Sequence, residues 1–112
     1  MHKIAHRPYM HPGNLLRDCI LPALGLSVSQ AARDLHITRQ TLHRILAGDA
    51  AITPDMATRL ERLCGVQSRY WLALQQDCEL DRNLLEHGEL YDRIPSHQLP
   101  EKVLRTIGAS DD

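Results

Sequence analysis

Residues 29–45 read SQAARDLHITRQTLHRI, and they contain two short amphipathic segments. In the first, Ala31, Ala32 and Leu35 recur at helical spacing, and Ser27 or Ser29 offers a hydroxyl to an unpaired N–H of the first turn. In the second, Leu42, Ile45 and Leu46 keep the same period behind Thr38 as cap, with Gly48 as the left-handed stop. The connection Leu35-His36-Ile37-Thr38 has the length that crosses two helices at about 90–120° in a helix-turn-helix. Small Ala32 sits where the helices approach, and Leu35, Ile37, Leu42 and Ile45 fill the space between them. His36 occupies the turn position where a left-handed backbone is expected, a conformation that favours glycine.

The outward positions of the second helix are Arg39, Gln40, Thr41, His43 and Arg44, without a single acid. Arginine pairs two-pronged with guanine, glutamine does so with adenine, and a threonine methyl meets that of thymine. Arg39, Gln40 and His43 are therefore expected to face base edges in a major groove. Ser29, Gln30, Thr38, Thr41 and Arg44 are expected to meet phosphates, which helix N-terminal N–H groups also attract.

On the N-terminal side, His11-Pro12-Gly13-Asn14 forms a turn, followed by a helical stripe of Leu15, Leu16, Cys19 and Ile20 that Pro22 should end or kink. On the C-terminal side, Thr53-Pro54-Asp55 has the order of a helix start, and Met56, Ala57, Leu60, Leu63 and Cys64 continue it to Gly65. A fifth and longest helix is expected from about Ser68 to Gly88. Its face of Trp71, Leu74, Cys78 and Leu85, widened by Leu72, Leu80 and Leu84, reads as a dimerisation surface. The tail with Pro95 and Pro100 reads as loop, regaining one turn at Glu101 to Ile107. No run alternates long enough for a strand. The expected fold is all-α with five helices: residues 1–10 as an N-terminal arm, 11–90 as the helical domain, and 91–112 as a C-terminal tail.

A chain of 112 residues has the size of one domain. Its apolar share of 43% is that of an ordinary soluble protein, and no window approaches the about 18 apolar residues of a membrane span. The N-terminus lacks a secretory core, so the cytoplasm is the expected location and no membrane partner is expected. Cys19, Cys64 and Cys78 are widely spaced and are expected to be buried free thiols. The net charge of −1 hides an asymmetry: residues 1–50 carry +3 and residues 51–112 carry −4, with histidine neutral. The positive half holds the candidate DNA-reading helix, and screening over about 8–10 Å isolates it from the acidic half.

Enzymatic alternatives find little support. His2, His6 and His11 have no Cys, Asp or Glu at metal-ligand spacing beside them, and no Gly-rich phosphate loop or nucleophile elbow occurs. No catalytic residue, metal or cofactor is expected.

Taken together, NLLR at 14–17, SQAARDL at 29–35, ITRQTLHRILAG at 37–48, ITPDMA at 52–57 and YWLALQ at 70–75 resemble the HigA-type antitoxins of bacterial toxin–antitoxin modules, a branch of the phage-repressor-like helix-turn-helix proteins. The resemblance covers about residues 11–82. It implies a lambda-repressor-like fold and a homodimer that represses its own operon by binding double-stranded operator DNA. It also implies a surface that captures a cognate toxin, an mRNA-cleaving protein. A stand-alone phage- or plasmid-derived repressor without a toxin partner is the alternative. The chain departs from the family at Asn14, where Glu is frequent, and at Arg69, where an acid is more usual in a first helical turn.

Overall fold

The structure is a computed structural model that describes residues 10–109. His2, His6 and nearly all of the expected arm lie outside the described residues.

His11 opens the first helix: its ring Nδ1 accepts the Gly13 N–H at 2.8 Å, and Pro12 follows at the first helical position. Helix α1 (Pro12–Leu15) runs without a break through a π-helical turn at Leu16–Ile20 into α2 (Leu21–Leu24), which stops at left-handed Gly25. Pro22 therefore neither ends the helix nor leaves it regular. A proline has no N–H and its ring crowds the carbonyl four residues back, and the wider turn, in which Leu21 N–H reaches Leu16 O, makes room for it. The widened turn also shifts the apolar register. Leu16 and Leu21 are buried, whereas Cys19 is exposed, contrary to expectation; Cys64 is half-buried and Cys78 buried.

Helix α3 (Val28–Leu35) is capped by Ser27 rather than Ser29, the hydroxyl accepting the Gln30 N–H at 3.1 Å. Helix α4 (Arg39–Leu46) is capped by Thr38, which accepts the Thr41 N–H at 3.0 Å, and left-handed Gly48 follows its end. Helix α5 (Pro54–Cys64) starts on the Thr53 cap and ends at left-handed Gly65. Helix α6 (Ser68–Tyr91) passes through Gly88, which was expected to end it. Helix α7 (Glu101–Thr106) is the turn expected in the tail. The five expected helices are thus the continuous α1–α2 rod, α3, α4, α5 and α6, and no strand occurs among the described residues.

The core gathers Leu16, Leu42, Ile52, Leu60 and Trp71, all fully buried, from the rod, α4, the α4–α5 loop, α5 and α6. Only the first half of α6 joins it. A helix of 24 residues spans about 36 Å, more than the core is wide, so the second half projects and lengthens the molecule to 53 × 30 × 27 Å. The expected dimer face is divided by this geometry. Trp71 and Cys78 lie in the chain's own core and present no free surface, because the first turns of α6 cover α5 and α1. Leu74 is half-buried, whereas Leu80, Leu84 and Leu85 are 60%, 59% and 72% exposed.

His11 is buried, and its pKa lies below the ordinary 6.5. Desolvation is the main cause and Arg82 adds to it, against the raising effects of the Ala50 carbonyl, Glu79 and Asp49. A depressed folded-state pKa means that the unfolded chain takes up the proton more readily. The stability held by the neutral ring is therefore present above pH 6.5 and is lost as pH falls from there through the folded pKa. Urea titrations at pH 7.5 and 5.5 should show wild type losing more stability on acidification than His11→Asn, which keeps a capping acceptor without a titrating ring. Equal losses would remove His11 from the pH response.

Candidate nucleic-acid interface

Helix α4 turns Leu42, Ile45 and Leu46 inward and leaves Arg39, Gln40, Thr41, His43 and Arg44 exposed. The eight residues expected to contact DNA lie in the first turn of α3 (Ser29, Gln30), at the α4 cap (Thr38) or along α4 itself. Their side chains differ in how free they are. The Thr38 hydroxyl is committed to the cap, accepting from Thr41 N–H and donating to Thr41 Oγ1 at 2.8 Å. Gln30 bridges its own helix, donating to Asp34 Oδ1 at 2.7 Å and accepting from Arg33 Nη2 at 2.7 Å. It must release these partners before it can reach a phosphate. Ser29 is half-buried, and Arg44 makes one long contact, 3.4 Å, to the Asp49 carbonyl.

The C-terminal end of α4 and the turn that leads into α4 are both held by groups distant in sequence. At its C-terminal end, Asn14 Nδ2 and Arg17 Nη1 donate to the Leu46 carbonyl at 3.1 and 3.3 Å, and Arg17 is itself oriented by Asp18 at 2.7 Å. This gives Asn14 a physical role, since an ionised glutamate could not donate there. The two backbones also meet directly: a Cβ on Gly13 would fall on the Ile45 carbonyl oxygen.

At its N-terminal end the turn is left-handed at His36, with φ 59° and ψ 43°, as expected. His36 N–H bonds Arg33 O at 3.1 Å and Ile37 N–H bonds Ala32 O at 3.0 Å, closing a Schellman motif. A histidine in this conformation carries about 1–2 kcal/mol of strain that glycine would not. Facing the turn from α5, Arg59 Nη1 donates to Leu35 O at 2.7 Å and to His36 O at 3.1 Å, while its Nε pairs with Asp55 at 3.0 Å. Neither apolar periodicity nor a cap motif singles out Arg59 in the sequence. Its legible signal was the i, i+4 spacing from Asp55; its carbonyl partners are 24 and 23 residues away.

Among the described residues, no group of three or more His, Cys, Asp or Glu is placed to hold a metal ion, and no helix is long and apolar enough to cross a membrane.

Residues 16–71, from the π-turn to the start of α6, match the profile of a family described as helix-turn-helix. The chain belongs to the helix-turn-helix family. This helix-turn-helix protein is 36% identical over 73 residues to virulence-associated protein I of Dichelobacter nodosus, across 65% of this chain and 68% of the relative. Among solved structures it is similar to antitoxin GraA, with a TM-score of 0.76 and 28% identity over 82% of this chain and 100% of that one. It is equally similar to the Pseudomonas aeruginosa antitoxin HigA with the higBA promoter, with a TM-score of 0.76 and 30% identity over 83% of this chain and 100% of that one. The likeness in fold to HigA-type antitoxins thus extends past the family match into the long α6 helix.

Proposed function

We propose that this chain is an antitoxin of the HigA type that represses its own operon as a dimer. The observation that carries the proposal is the acid-free outer face of α4, with Arg39, Gln40, His43 and Arg44 exposed on a helix held at its C-terminal end and at the turn that precedes it. The solved HigA with its promoter supports DNA as the partner of that face. Arg39, Gln40 and His43 read base edges. Ser29, Gln30, Thr41 and Arg44 meet phosphates, while Thr38 contributes its cap geometry and backbone N–H more than its occupied hydroxyl.

One α4 helix covers only a few base pairs, so a two-fold pair on half-sites about 34–36 Å apart supplies the affinity. Exposed Leu80, Leu84 and Leu85 on the projecting half of α6 are the pairing surface, and Leu85→Asp should shift light scattering toward monomer. Toxin capture follows from the likeness to GraA and HigA; co-purification of a small basic protein encoded beside the gene would test it. If no such neighbour exists, the chain is the stand-alone repressor.

Footprinting on DNA upstream of the gene tests the central claim. Arg39→Ala should cost about 1–3 kcal/mol on the operator and relax base preference, whereas Arg44→Ala should weaken all sequences alike and flatten the salt dependence. Equal losses on operator and random DNA for both variants would overturn the assignment.

A further inference from the structure

We propose that Arg59, which lies outside the recognition helix, is a positioning residue for DNA reading. It holds the left-handed turn that aims α4. The proposal rests on α4 being the DNA-reading helix and adds a group on α5 that controls its pose.

The geometry supports a clamp. Two N–H groups on one Arg59 nitrogen reach two successive carbonyls, Leu35 O and His36 O, that close the end of α3. Asp55, one helical turn earlier on α5, fixes the guanidinium through Nε. A cation at the C-terminal end of α3 also faces the negative end of that helix. Only Ile37 and Thr38 separate the clamped residues from α4, and α4 packs on α3 and α1. A small rotation at His36 is therefore carried into the direction of the recognition helix.

The clamp is needed here because the turn carries histidine. Glycine adopts φ near 59° without steric cost, whereas His36 is the described non-glycine residue held at positive φ and is drawn toward ordinary backbone conformations. Arg59 also lines an open groove with Arg33, Asp34, His36 and Arg62, so shortening it removes the clamp without hollowing the core.

The test compares Arg59→Ala, Arg59→Lys, His36→Gly and the Arg59→Ala/His36→Gly double variant in the full chain. Far-UV circular dichroism sets a temperature at which all are folded. Operator affinity should fall about tenfold in Arg59→Ala, while random-sequence affinity stays within about twofold, because a mis-aimed helix loses base contacts before phosphate contacts. Arg59→Lys, with one compact ammonium, should fall between, and it serves as the probe should the alanine variant not fold. Glycine at position 36 should restore most of the operator affinity in the double variant.

Amide hydrogen exchange provides a readout independent of DNA: the His36 and Ile37 amides should exchange faster in Arg59→Ala while core amides do not. Equal losses on operator and random DNA, or no recovery in the double variant, would overturn the proposal. Failure of the wild type to protect any site would remove its DNA premise, whereas unchanged exchange at 36 and 37 would remove the clamp itself.

Discussion

Gly13→Ala should destabilise the protein by about 3 kcal/mol or more and abolish operator protection at temperatures where the wild type is folded. The added Cβ meets the Ile45 carbonyl, a backbone group of α4 that cannot rotate aside, so α1 and α4 must separate. Separation also breaks the bonds from Asn14 and Arg17 to Leu46 O, because these residues ride on the same rod. Gly88→Ala is the matched control. Its Cβ would meet nothing within 4 Å and its site is helix interior, so alanine should stabilise by about 0.5–1 kcal/mol. Urea unfolding measures both. A Gly13→Ala variant within about 0.5 kcal/mol of wild type would mean that the rod and α4 are not in backbone contact, since that is the usual range for surface changes.

Trp71→Ala should cost about 3–5 kcal/mol of stability, the range for truncating a large buried aromatic. Trp71 is fully buried, and its indole Nε1 has no acceptor within the described residues, so its contribution is packing rather than hydrogen bonding. The change should lower the thermal midpoint without first altering subunit association. Leu85→Asp should do the opposite, leaving the midpoint of the isolated chain near wild type while weakening the dimer proposed above. Differential scanning calorimetry with light scattering on both variants distinguishes core from surface. A stable but dissociated Trp71→Ala protein would return Trp71 to the interface that its sequence position suggested.

That contrast shows why α6 was only half legible. Its apolar residues repeat at helical spacing from Trp71 to Leu85, and periodicity alone assigns them one common face. Which part of that face is buried depends on where α5 and α1 end, and the helix outruns both. Gly88 failed as a stop for a related reason. A glycine ends a helix where the chain takes the left-handed conformation, as at Gly25 and Gly65, whereas at Gly88 the chain continues in the helix to Tyr91. Pro22 predicts an end or a kink, and the π-turn by which the helix instead continues past it is a backbone solution with no marker in the side chains.

Local hydrogen bonding made much of the fold readable directly. The caps at Thr38 and Thr53, the Pro54 start, the left-handed geometry of His36 and the split between apolar and polar faces of α4 all arise within a few residues of themselves. Sequence by itself therefore determined most of the helices, the left-handed turn before α4 and the polar outer face of α4 that we propose reads DNA. Tertiary structure alone decided how that face is held, through Gly13 against Ile45, Asn14 against Leu46 and Arg59 against Leu35 and His36. Those partners stand 23 to 32 residues apart, and no periodicity or cap spans such a distance until the chain has folded and brought them within hydrogen-bond reach.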